Sequence, residues 1–134
     1  MIVIVALSEN GGMTFNHRRQ SKDIALRERI FNLIQDKKLF VNEYTAKQFE
    51  DVANLIIDDN CLASASNGDY VFVENQDVSP YQDDIERLIV YRWNRDYPAD
   101  TFFPIDLNNW HCSQTFDFEG NSHEKITEYV FEKM

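Results

Sequence analysis

Asp23 lies one turn into a helical stretch, just after a polar loop that leaves a strand. A carboxylate in that position can face a pocket and bind or protonate a nitrogen heterocycle. A plainer reading stands beside it, because a first-turn acid is favoured by the helix dipole whatever it faces. Arg18 and Arg19 in the same loop offer guanidinium forks for a carboxylate or a phosphate, or serve as solvated charges. His111-Cys112 puts a base beside a nucleophile, but neighbours on a strand point to opposite faces and make no dyad. A metal ion needs converging His, Cys or carboxylate groups. His17, His111 and His123 are scattered, and no C-x-x-C or H-E-x-x-H spacing occurs, so no metal site is expected. Asp58-Asp59, Asp83-Asp84 and Asp117-Phe118-Glu119 share no element and read as solvated faces. The glycine-rich loops that ordinarily cradle phosphates are absent.

The elements that position these groups follow from the apolar pattern. The run Met1 to Leu7 is uninterrupted and β-branched, as in a strand buried on both faces at the centre of a sheet. The stretch from Ser8 to Gln20 reads as a loop, and Ser21 as the cap of a helix over Lys22–Gln35, with Leu26, Ile30, Leu33 and Ile34 inward and Arg27 and Arg29 outward. Leu39–Val41, Leu55–Ile57, Tyr70–Val73 and Leu88–Trp93 read as further strands. Thr45 and Gln48 have capping-box spacing, predicting a helix from Ala46 to about Val52, and Ser79-Pro80 opens another to about Arg87. Short helices alternate with these strands. Tyr91 and Trp93 share a strand face with Ile89, an arrangement usual for core and open to a pocket wall. From Cys112 to Glu119 apolar and polar residues alternate, and with Glu124–Lys133 they form a closing antiparallel hairpin.

Together these predict an α/β fold with a mainly parallel central sheet, helices on both faces and an antiparallel C-terminal hairpin. At 134 residues, the span 1–134 is expected to be a single domain. Thirteen Lys and Arg oppose 23 Asp and Glu, a formal charge of -10, which argues against direct nucleic-acid binding or an anionic membrane partner. The Met1–Leu7 run is too short to span a bilayer and has no basic residue before it, and two cysteines are too few for a disulfide framework. A cytoplasmic protein is expected.

The order of elements and three stretches resemble the dihydrofolate reductase family. Ile2–Leu7 with Ser8-Glu9-Asn10-Gly11-Gly12-Met13 is similar to that family's opening strand and the loop after it. Asp23 falls where the family keeps its pteridine-binding acid. Asp100-Thr101-Phe102-Phe103-Pro104, with Asp106 and Trp110, resembles the family's D-T-F-F-P segment. The resemblance implies a ligand cleft at the carboxyl ends of the parallel strands, bordered by Ala6, Asp23, Phe31 and Tyr91, with Asp23 catalytic if the chain is active.

Departures fall on the cofactor side. Where the family has G-R-x-T this chain has Asn42-Glu43-Tyr44-Thr45, so Thr45 is the single cofactor-binding residue kept, and Glu74-Asn75-Gln76-Asp77 replaces a glycine pair. Tyr91 stands where a threonine would partner the acid. The resulting expectation is a dihydrofolate-reductase-like protein without NADPH-dependent activity, binding a small molecule or a protein with a basic surface and carrying no cofactor. Two alternatives stay open. One is a working reductase of a pterin-like substrate that uses NADPH in an unusual way; the other is an acidic inhibitor from a phage or mobile element that mimics nucleic acid.

Overall fold

The computed structural model describes residues 1–49 and 54–133. Strand β1 (Ile2–Leu7) occupies the centre of a seven-stranded sheet. On one side it pairs in parallel with β6 (Tyr70–Val73), followed outward by β4 (Leu39–Val41) and β5 (Leu55–Ile57). On the other it pairs in parallel with β7 (Arg87–Arg92), and β10 (Ile126–Lys133) and then β9 (Trp110–Phe118) continue antiparallel. The sheet expected from sequence is the sheet observed: five parallel strands closed by an antiparallel pair.

Alternate residues of β1 feed two separate cores. Ile2 and Ile4 pack with Ile89, Tyr91 and Trp93 under helix α1 (Ile24–Ile34), which buries Leu26, Ile30 and Ile34 at a four-residue spacing. Burying each of those three contributes about 1.5–3 kcal/mol. Val3, Val5 and Leu7 meet Leu88, Val90, Ile105 and Trp110 on the opposite face. That face is covered thinly, by α3 (Cys61–Ser64) and a 3-10 turn over Ser79–Asp84, so helical cover exists on both faces but is unequal.

Several local expectations change. The stretch after β1 is not a plain loop. It forms a hairpin, β2 (Gly12–Phe15) and β3 (Arg18–Arg19), extended by β8 (Thr101–Phe102) into a second small sheet. Its two-residue turn, Asn16-His17, has positive φ at both positions (53° and 63°), the hairpin-turn geometry usually signalled by glycine. Helix α1 is capped by Asp23, not Ser21: Asp23 Oδ1 accepts the Ala25 N–H at 2.9 Å. Helix α2 (Glu43–Ala46) starts earlier than Thr45-Gln48 suggested, because Asn42 caps it through the Thr45 N–H; a 3-10 turn carries on over Lys47–Phe49, and the expected continuation to Val52 lies outside the described residues. The Ser79 segment is 3-10 rather than α. In β9 the alternation breaks: Gln114 opposes Val130 while Cys112 opposes Phe131, so Ser113 is a bulge, and both faces from His111 to Asp117 are exposed.

Candidate functional site

The carboxyl ends of β1, β6 and β7 converge with the start of α1 and with α2, and two buried carboxylates lie there, Asp23 and Glu74. Asp23 is wrapped by a turn nearly a hundred residues away in sequence. Its Oδ1 accepts the Asn121 N–H at 2.8 Å besides the Ala25 N–H, and its Oδ2 accepts the Ser122 N–H at 2.8 Å and lies 3.0 Å from His123 Nδ1. Gly120 permits this closeness, since a Cβ there would stand 2.8 Å from Asp23 Oδ2 and 2.6 Å from the His123 carbonyl. Because an ionised carboxylate only accepts, Nδ1 of His123 carries the proton. Its Nε2 lies 2.8 Å from the Tyr97 hydroxyl. The imidazole stacks on Trp93 at 4.5 Å. Burial alone would raise the Asp23 pKa. Hydrogen bonds from Asn121, His123, Ser122 and Ala25 outweigh it and hold the carboxyl far below the usual carboxylate range.

Glu74, just past β6, is held differently. The Arg19 guanidinium meets it in a two-pronged contact, Nε to Oε2 at 2.8 Å and Nη2 to Oε1 at 3.1 Å, and the Thr45 hydroxyl donates to Oε1 at 2.9 Å. Arg19 also lies over the Tyr44 ring, 4.5 Å from its centroid, while the Arg19 N–H donates to the Tyr44 hydroxyl at 2.8 Å. Burial works to lower the Arg19 pKa and Glu74 raises it, with a net rise. Arg19 therefore does bind a carboxylate, one belonging to its own chain.

Between the two carboxylates runs a cleft of about 420 Å³ including its mouth, whose enclosed part has room for about one water molecule. Ala6 and Asp23 line it. Phe31 and Tyr91 do not border it: Phe31 packs edge-on against Phe49 at 5.8 Å, and Tyr91 is fully buried. The Tyr91 hydroxyl donates to Glu128 Oε1 at 2.7 Å rather than turning to Asp23, and Arg29 grips the same carboxylate through Nε and Nη2 at 3.0 and 2.9 Å. Arg29 is thus only partly outward. Burial, then the Glu128 charge, pushes the Tyr91 phenol well above its ordinary pKa. Thr45 is buried with its hydroxyl engaged by Glu74.

Among the described residues, two buried side-chain atoms lack hydrogen-bond partners, Gln20 Oε1 and Gln48 Nε2, both from residues that line the cleft. The sequence did not mark either glutamine as a site residue, and His123 was weighed there only as a metal ligand. A wider recess of about 650 Å³ including its mouth adjoins, bordered by Lys22, Arg27, Gln48 and Ser122 among others. Among the described residues no three His, Cys, Asp or Glu side chains converge as metal ligands do, and no helix is long and apolar enough to cross a membrane.

No protein-family model matches the sequence, and no curated protein does. Among solved structures, the dihydrofolate reductase from Enterococcus faecalis, complexed with NADP(H) and RAB-propyl, is similar with a TM-score of 0.69. The match covers 98% of this chain and 95% of that one at 14% identity. The fold is therefore dihydrofolate-reductase-like, as the sequence resemblance implied.

Proposed function

We propose that this chain is a small-ligand-binding module on a dihydrofolate-reductase-like frame, and that it does not carry out NADPH-dependent reduction. The clamp of Arg19, Glu74 and Thr45 carries this reading. Thr45, the residue the resemblance assigns to the cofactor, donates its hydroxyl to Glu74, and Glu74 and Asp77 put carboxyl groups where glycines would let a dinucleotide approach. The Arg19 guanidinium and the Thr45 hydroxyl, the donors a phosphate would need, are taken by the chain's own Glu74 carboxylate. These residues do not fit the group.

Asp23 supports the same reading from the other end of the cleft. Both its oxygens are taken by N–H donors from α1 and from the 121–123 turn, so a cationic heterocycle finds no free lone pair without unpicking that turn. Unused capacity rests with Gln20 Oε1, an acceptor, and Gln48 Nε2, a donor. An uncharged molecule presenting both a donor and an acceptor, an amide or a neutral heterocycle, matches that pair, its bulk lying in the outer recess.

Purified protein with NADPH and dihydrofolate, followed at the nicotinamide absorbance, is expected to match the protein-free blank, and NADPH is expected to give neither heat nor a thermal shift. Turnover overturns the first half of the reading. A thermal-shift panel of neutral pyrimidines and their 2,4-diamino counterparts addresses the second. Stabilisation by the neutral members alone is the expected pattern, whereas stabilisation by the diamino members alone returns Asp23 to the role of ligand acid.

A further inference from the structure

On the face of the sheet away from α1, a recess of about 280 Å³ opens where β1 and β7 end, and Arg92 lines it. Arg92 is half-buried, and one prong of its guanidinium donates to the Ser8 carbonyl at 3.1 Å. Among the described residues no carboxylate lies within 4.0 Å of its nitrogens. In a chain of net charge -10, a guanidinium withdrawn from water without a counter-ion is an arrangement against the average, since acids outnumber bases 23 to 13. Burial lowers the Arg92 pKa against a smaller upward pull from the Tyr129 phenol, yet an arginine stays charged at neutral pH. The recess has a second charge. Asp106, exposed, lines it too, with Oδ1 accepting the Asn108 N–H at 3.0 Å as a turn cap and, among the described residues, no hydrogen bond on Oδ2. Leu7, Phe103, Ile105 and Leu107 supply apolar lining.

A cation and an anion on the lining of one recess, with no ion pair between them among the described residues and apolar side chains in the same lining, are complementary to a ligand carrying both charges and a hydrocarbon group. We propose that this recess is a binding site for a small zwitterion, an α-amino acid with an apolar side chain, its carboxylate on Arg92 and its ammonium on Asp106. Arg92 gives the carboxylate a planar fork with donors to spare after Ser8. Asp106 keeps one oxygen for the ammonium while the other holds the turn. The volume admits a leucine-sized molecule, at the small end of ligand pockets. This site shares no residue with the Asp23–Glu74 cleft and does not depend on what that cleft binds.

Calorimetric titration with L-leucine, with 4-methylpentanoate, which lacks the ammonium, and with 3-methylbutylamine, which lacks the carboxylate, tests it on the full chain. Leucine is expected to bind at least about tenfold more tightly than either single-charge analogue, since each analogue forgoes one charge-assisted contact. Arg92→Gln should abolish binding of leucine and 4-methylpentanoate alike. Asp106→Asn keeps the turn cap and should level leucine with 4-methylpentanoate without weakening the latter. Far-ultraviolet circular dichroism establishes that both variants fold; should Arg92→Gln fail to fold, the Asp106→Asn comparison decides alone. No heat with leucine at millimolar concentration, or affinity unchanged in the variants, overturns the proposal.

Discussion

Asp23 and Glu74 are both buried acids at the same end of the sheet, and the difference between them lies in where their hydrogen-bond donors come from. Asp23 is held chiefly by main-chain N–H groups at Ala25, Asn121 and Ser122, with His123 added. Glu74 is held by side chains, Arg19 and Thr45, the first with about a quarter of its side chain exposed (23%). Main-chain donors cannot rotate away, so Asp23 is part of the fold: it caps α1 and fastens the β9–β10 turn to it. A side-chain clamp can swing by rotamer changes, which makes the Glu74 end of the cleft the releasable end. Two carboxylates that look alike by burial thus have different standing, one structural and one adjustable.

Removing the acids ranks the two regions. Asp23→Ala deletes a cap and strands three N–H groups, so urea unfolding is expected to show a loss of about 3–5 kcal/mol. A loss below about 1 kcal/mol would put Asp23 on the adjustable side. Acid sharpens the same point. With its pKa depressed by folding, Asp23 contributes stability that is fully present above its unfolded value near 4 and is lost as pH falls below that. Urea midpoints of Asp23→Asn should therefore fall less steeply than those of the parent on the acid side. Glu74→Gln is expected to cost less, about 1–3 kcal/mol, and to speed amide hydrogen exchange at Arg19 and along β2–β3 while leaving residues 121–123 protected. Equal exchange in both segments would erase the distinction. Tyr97→Phe, which removes the hydroxyl partner of His123 Nε2, should cost about 1 kcal/mol, and Thr45→Val about 0.5–1.5 kcal/mol, both read from urea midpoints.

Much of the frame was legible because the strands speak plainly. Continuous apolar runs at Ile2–Leu7, Tyr70–Val73 and residues 88–91 have no other comfortable home than a sheet covered on both sides. The β2–β3 hairpin was not legible, since Asn16 and His17 take left-handed φ without the glycine that normally announces it. Nor were the partners of the two acids. His123 is one hundred positions from Asp23 and Glu74 is 55 from Arg19, and local spacing carries no information about contacts made by topology. Tyr91 illustrates the limit. Its strand face was readable from alternation, but whether its hydroxyl turned to Asp23 or to Glu128 depended on a glutamate 37 residues later.

The Ser113 irregularity in the outermost strand bears on what that open edge can template. Nine residues of edge backbone carrying Phe116 and a free thiol at Cys112 would, if unbroken, invite a neighbour to zip alongside and extend the ladder from molecule to molecule. With the spacing broken at Ser113, three residues before it and five after it, a strand laid along this edge falls out of step, which makes the edge a poorer template than an unbroken one.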